Sequence, residues 1–190
     1  MEYDKRSVRK TLLQARDNLS QEERNRGKVL LTEKILGHQW FYRSDILLGF
    51  VSYGSEIETG EILREALGKG KQVYVPKVIQ DTEISEMRFY RIGSMEELQE
   101  GYRGIREPSG TSQVYCYKEE DAERTLLLMP GVAFDRFGCR IGYGKGFYDR
   151  FLEDKPLLCQ HSIGVGFRCQ LVDRLPMEEH DVKPYQVICV

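Results

Sequence analysis

The stretch Phe134–Leu152, FDRFGCRIGYGKGFYDRFL, decides how this chain is read. Glycines stand at Gly138, Gly142, Gly144 and Gly146, interleaved with charged and aromatic residues, and the run Phe147-Tyr148-Asp149-Arg150 follows. An apolar segment, Thr125 to Met129, precedes it and stops at Pro130-Gly131. The residues after it predict a helix over 147–154. A glycine-rich loop between a strand and a helix start is suited to anions. Glycine adopts positive φ and carries no Cβ to hold a ligand away, and helix-start N–H groups attract phosphate. Arg140 and Lys145 add positive charge. A flexible connector is the competing reading, but a connector has no need of this alternation of charge and aromatic rings. No Gly-Lys-Ser/Thr closes the loop, so it is not a P-loop. The first βα turn of the chain lacks the dinucleotide fingerprint.

Working outward, Asp45 to Val51 and Lys71 to Pro76 read as strands around a helix over 59–69, a unit that implies parallel pairing. Glu86 to Ile92 alternates as an antiparallel or edge strand, Ser94 to Leu98 reads as a short capped helix, and 101–117 as loop. His161 to Phe167 and Val187 to Val190 supply further strands. The fold class expected is α/β: a Rossmann-like three-layer sandwich with a mostly parallel central sheet, as one domain over 1–190. Ligands of such sheets gather outside the carboxyl ends of strands. The tips after Val51 and Met129 should therefore share one edge of the sheet.

Toward the amino terminus, Asp4 to Leu19 has an amphipathic period, with Val8, Leu12, Ala15 and Leu19 on one side. Lys5 and Arg9 lie one turn apart and can point at one ligand, or both can simply face water. Ser20-Gln21-Glu22-Glu23 is a capping box that starts a second helix, ending near Gly37.

The chain has 190 residues and a formal net charge of −2, so no global field calls for nucleic acid or a membrane surface. Its five cysteines are scattered without a C-x-x-C pair, as reduced thiols of a cytoplasmic protein would be. The charged start gives no signal peptide, and no apolar run reaches membrane-span length. Absence of H-E-x-x-H and G-x-S-x-G argues against zinc proteolysis and serine hydrolysis. What remains is a phosphate cradle, cations, and carboxylates such as Asp149 and Asp181 that suit Mg²⁺. Either aspartate has a plainer reading, as a helix-start charge or a solvated acid. Tyr143, Phe147 and Tyr148 either pack locally or stack on a flat heterocycle.

Pro130-Gly131-Val132-Ala133-Phe134-Asp135, Gly138, Arg140-Ile141-Gly142 and Gly144-Lys145-Gly146-Phe147-Tyr148-Asp149-Arg150 together resemble the signature of the 5-formyltetrahydrofolate cyclo-ligase (methenyltetrahydrofolate synthetase) family. Lys5-Arg6-Ser7-Val8-Arg9, Glu56-Ile57-Glu58-Thr59, Glu107-Pro108 and His180-Asp181 extend the resemblance over nearly the whole chain. The resemblance implies ATP- and Mg²⁺-dependent conversion of 5-formyltetrahydrofolate to 5,10-methenyltetrahydrofolate, with release of ADP and phosphate through a phosphorylated formyl (iminophosphate) intermediate. It implies that Lys5, Arg6, Ser7, Val8 and Arg9, with Arg140, Ile141, Gly142, Tyr143, Gly144, Lys145, Gly146, Phe147 and Tyr148, bind ATP. Val51 and Glu56, with Tyr143 through Phe147, would bind the folate. Lys5, Arg9 and Lys145 would be catalytic, and Asp149 and Asp181 would hold Mg²⁺. A monomer acting on a small molecule in one-carbon metabolism is expected. The sequence departs from the family at Phe147, where tyrosine is usual, at Ile141, where leucine is usual, and at Lys183-Pro184-Tyr185. A nucleotide- or RNA-binding module would not need Glu56, Lys145 and both aspartates. A sugar-phosphate isomerase would need an acid/base pair that is not evident.

Overall fold

The computed structural model describes residues 4–80, 85–101, 104–109 and 112–190. Its centre is a six-stranded sheet in the order β11-β9-β6-β1-β2-β3. The strands are β1 (Ile46–Leu48), β2 (Gln72–Ile79), β3 (Glu86–Ile92), β6 (Thr125–Pro130), β9 (Ser162–Gly166) and β11 (Gln186–Cys189). All neighbours pair parallel except β2 with β3. Chain order runs outward from β1 in both directions, so β1 and β6 flank the switch point where open α/β sheets form a crevice.

Strand alternation sends successive side chains into two layers. Leu47, Val73, Val75, Leu126 and Leu128 pack with Leu31 and Ile35 of helix α2 (Gln21–Leu36) and Ile62 and Leu63 of α4 (Gly60–Gly68). Ile46, Leu48, Tyr74, Leu127 and Met129 pack with Tyr148 and Leu152 of α5 (Phe147–Leu152) and Leu158 of α6 (Pro156–Cys159). Each such fully buried leucine contributes about 1.5–3 kcal/mol of burial free energy.

Helix α1 (Lys5–Asp17) starts at Asp4, whose carboxylate accepts from the Ser7 N–H at 2.7 Å. The capping box of α2 is present in both directions: Ser20 Oγ accepts from the Glu23 N–H, and the Glu23 carboxylate accepts from the Ser20 N–H.

Several expectations require adjustment. The segment 39–43 forms a short helix, α3 (Gln39–Arg43), that the sequence reading left out. The turn after Ser94 is a 3₁₀ turn, Met95–Glu97, without a side-chain cap. The segment expected to be loop over 101–117 pairs through β5 (Arg106–Glu107) with β4 (Gln99–Glu100); residues 102, 103, 110 and 111 lie outside the described residues. Strand β2 also runs past Pro76 to Ile79. Pairing with β1 ends at Tyr74, so beyond it β2 has only β3 beside it and the missing proline N–H breaks no ladder on the other side.

The largest adjustment concerns the glycine stretch. It does not leave β6 directly. A hairpin intervenes, β7 (Ala133–Asp135) against β8 (Arg140–Ile141), with β10 (Leu171–Val172) parallel to β7. Gly138 belongs to the turn of that hairpin, which the buried Asp135 organises by accepting from the N–H groups of Phe137 and Cys139. The ligand-facing loop therefore starts after Ile141, and the helix it enters is shorter than the sequence suggests.

Candidate active site

A cavity of about 1300 Å³ opens over the carboxyl ends of β1, β2 and β6. Its walls come from four parts of the chain: the start of α1, the segment 50–56 after β1, the loop 140–146 running into α5, and the segment 178–182. Apolar lining is added by Phe50, Pro76, Val78 and Met87.

Helix α1 lies against the glycine loop. Arg9 Nε donates to the Gly142 carbonyl at 2.8 Å. The same guanidinium approaches Gly144, where an added Cβ would sit 3.4 Å from its central carbon; Gly144 has φ +88° and Gly146 φ +64°, both in the region that favours glycine. A side chain at either position would strain the loop. Lys5 lies one turn earlier and reaches the other wall, pairing with Asp181 at 2.5 Å and Glu178 at 3.1 Å. Burial pushes the Asp181 carboxyl up, but the Lys5 ammonium and the Glu178 N–H outweigh it and hold the group below its ordinary value. Arg140, only 4% exposed in its side chain, donates to Asp149 Oδ1 at 3.0 Å and to the Pro130 carbonyl at 3.3 Å. The Val182 N–H donates to the same Asp149 oxygen, which ties Asp149 to the segment that follows Asp181.

On the opposite wall, Glu56 accepts from the Tyr53 N–H at 3.0 Å. Burial raises its carboxyl pKa, with the Tyr53 N–H, Arg16 and Tyr143 pulling it down only in part. The Tyr143 hydroxyl is pushed up to about 12 by burial and by the Glu56 carboxylate, against the opposing pull of Arg16.

Of the residues singled out from sequence, Lys5, Arg6, Arg9, Val51 and Glu56 line this cavity, as do 140–149 and Asp181. Ser7 and Val8 do not. Ser7 is spent on the α1 cap, and Val8 is buried against Val132, Ala133 and Ile141. Both seat α1, and neither is among the residues that line the cavity.

One polar residue escaped the sequence reading. Arg16 occupies the buried face of α1 with Val8 and Leu12, and it is 2% exposed. Its signal was the i, i+4, i+8 spacing, which places it on the apolar stripe where Ala15 was expected.

The buried donors test whether a phosphate-bearing ligand fits. Arg140 Nε and the Tyr148 hydroxyl are buried with no hydrogen-bond partner among the described residues, although both residues line the cavity. An unmet buried donor costs about 1–3 kcal/mol, so two of them beside side-chain-free glycines suit an oxygen-rich anion. For a hard cation, Asp149 Oδ1 and Asp181 Oδ2 are engaged internally, while the second oxygen of each takes no hydrogen bond among the described residues. That donor set suits Mg²⁺.

Among the described residues, no helix is long and apolar enough to cross a membrane. Over residues 1–190 the chain matches the model of the 5-formyltetrahydrofolate cyclo-ligase family. A Caenorhabditis elegans protein named probable 5-formyltetrahydrofolate cyclo-ligase is 35% identical over 188 residues, covering 96% of this chain and 89% of the relative. The mouse 5-formyltetrahydrofolate cyclo-ligase is 32% identical over 194 residues, covering 97% and 92%. The solution structure of Aquifex aeolicus 5,10-methenyltetrahydrofolate synthetase superposes with a TM-score of 0.78 at 32% identity, over 95% of this chain and 86% of that one. A Mycoplasma pneumoniae 5,10-methenyltetrahydrofolate synthetase shares the fold at 23% identity, with a TM-score of 0.73 and 98% coverage of both chains.

Proposed function

The chain belongs to the 5-formyltetrahydrofolate cyclo-ligase family, and from that premise we propose that it closes 5-formyltetrahydrofolate to 5,10-methenyltetrahydrofolate in the cavity over β1 and β6, consuming ATP with Mg²⁺. The carrying observation is that Lys5 and Arg9 of α1, Lys145 of the glycine loop and Glu56 of the β1 loop all face one cavity.

The chemistry asks for positioning and not for a protein nucleophile. An amide-like formyl oxygen leaves poorly. Phosphoryl transfer to it, with departure of ADP, makes an iminophosphate. Nitrogen 10 of the folate then attacks the formyl carbon and loses its proton, and phosphate leaves with the former formyl oxygen. Stabilising charge on the transferred phosphoryl group is the protein's task. Lys5, Arg9 and Lys145 supply positive charge, and Arg140 Nε supplies a donor. The bare backbone of 142–146 lets phosphate oxygens approach, and the rings of Tyr143, Phe147 and Tyr148 offer faces to a heterocycle. Glu56 and Val51 receive the pterin, the carboxylate accepting from its N–H groups. Asp149 and Asp181 would hold Mg²⁺, which would supply positive charge beside the phosphates. The protein works as a cytoplasmic monomer.

The test is direct. Purified protein with 5-formyltetrahydrofolate, Mg²⁺ and ATP should build up the near-ultraviolet absorbance of the methenyl product, and omitting ATP should abolish it. No absorbance with all components present would sink the enzyme reading.

A further inference from the structure

Arg16 is the most deeply buried cation of the molecule's amino-terminal helix, and the reaction chemistry above does not use it. Its guanidinium spends its donors on two different walls of the cavity. Nε donates to Ser55 Oγ at 2.9 Å, next to Glu56 on the β1 loop. One terminal nitrogen donates to the Tyr143 hydroxyl at 2.6 Å, in the glycine loop, and the guanidinium carbon stands 5.7 Å from the centre of that ring. The other terminal nitrogen lies 3.5 Å from the Gly131 carbonyl, just beyond β6. Ser55 Oγ donates in turn to the Asp17 carboxylate, so the serine is fixed from both sides. Arg24 of α2 holds the same loop through the Ser55 carbonyl, at 3.3 Å. Because the Tyr143 hydroxyl accepts from Arg16, its proton is left for the neighbouring Glu56 carboxylate.

Resting on the function proposed above, we propose that Arg16 is a positioning residue that couples the two halves of the site. One rigid fork sets both the loop carrying Glu56 and the loop carrying Tyr143. Ordering either loop by its ligand therefore pre-orders the other. The folate-side ligand and the nucleotide then bind with positive cooperativity, and by linkage each tightens the other by the same factor. A planar, multi-donor guanidinium is required, because a lysine ammonium is a point donor that cannot keep Ser55 and Tyr143 in one geometry.

Calorimetric titration of the full chain with 5-formyltetrahydrofolate, with and without Mg²⁺ and the β,γ-imido analogue of ATP, reads the coupling. In the wild type the analogue should tighten folate binding about tenfold. In Arg16→Lys that ratio should fall to within about twofold of unity, with nucleotide affinity alone largely kept. KM for folate should rise while kcat at saturation of both substrates holds. Tyr143→Phe should lose the same coupling, and the double variant should lose no more. A folded Arg16→Lys that retains the wild-type ratio overturns the proposal. So do wild-type ligands that bind independently, or effects of Arg16→Lys and Tyr143→Phe that simply add. If Arg16→Lys does not fold, Ser55→Ala and Tyr143→Phe carry the same measurement, and retention of the ratio in both overturns the proposal. Wild-type protein that binds no 5-formyltetrahydrofolate at all would instead refute the function, a distinguishable result.

Discussion

The two walls of the cavity are built on opposite principles. One is charged: Lys5, Arg140, Asp149, Asp181 and Glu178 meet as ion pairs, each fixed by a backbone partner or a second charge. The other is mostly apolar: Phe50, Val51, Pro76, Val78 and Met87 lie around two carboxylates, Glu56 and the buried Glu107. On the first wall the charges are already paired, so under the proposed function a transferring phosphoryl group would meet dipoles that need no reorganisation. On the second, the pterin of the proposed substrate would meet apolar surface and a carboxylate, Glu56, whose pKa burial raises. Under the proposed function, that difference assigns electrostatics to one side and recognition to the other.

The contrast breaks most sharply at Arg140. Arg140→Ala leaves Asp149 without its buried partner, and stability should fall by about 3–5 kcal/mol in chemical denaturation. A loss under 1 kcal/mol would mean that the charged wall is not preorganised by this pair. Lys145 is exposed and has no ion-pair partner among the described residues, so Lys145→Ala should keep its melting temperature. It should nevertheless lose about 10²-fold in kcat/KM, and ATP use should suffer more than folate affinity. Equal losses of both would erase the division between the walls.

Glu56 sharpens the second wall. A carboxylate is ionised above its pKa, and burial raises this one. Folate affinity should therefore decline on acidification from a higher pH than an ordinary glutamate would give. Glu56→Gln should weaken folate about tenfold and flatten that pH dependence. Folate titrations over pH 5–8 that superpose for the two proteins would remove Glu56 from recognition.

The legible parts of the fold were those with one unambiguous period. Thr125 to Met129 and Asp45 to Val51 are short apolar runs bounded by turn residues and read as buried strands, and Ser20 with Glu23 announces a helix start. The hairpin at 133–141 was hidden because its turn glycine, Gly138, sits in register with the ligand-loop glycines, and nothing local separates the two uses. Helix α3, at five residues, is too short to show a period. In the site, the family resemblance brought Lys5, Arg9, Glu56 and the glycine loop to one place. It missed Arg16, because a charge on an apolar stripe becomes intelligible only when its distant acceptors, Ser55 and Tyr143, are known. Ser7 and Val8, which the resemblance also names, cap and seat α1, because helical geometry turns them from the side that carries Lys5 and Arg9.

The pairing of Lys5 with Asp181 spans 176 positions of the chain. During synthesis the ammonium emerges 176 residues before its carboxylate, so the charged wall stays incomplete until the segment carrying Asp181 is available. Joining such distant points carries a loop-closure entropy that local contacts avoid. A chain that stops short of Asp181 holds the cations of α1 without the acid that orients them.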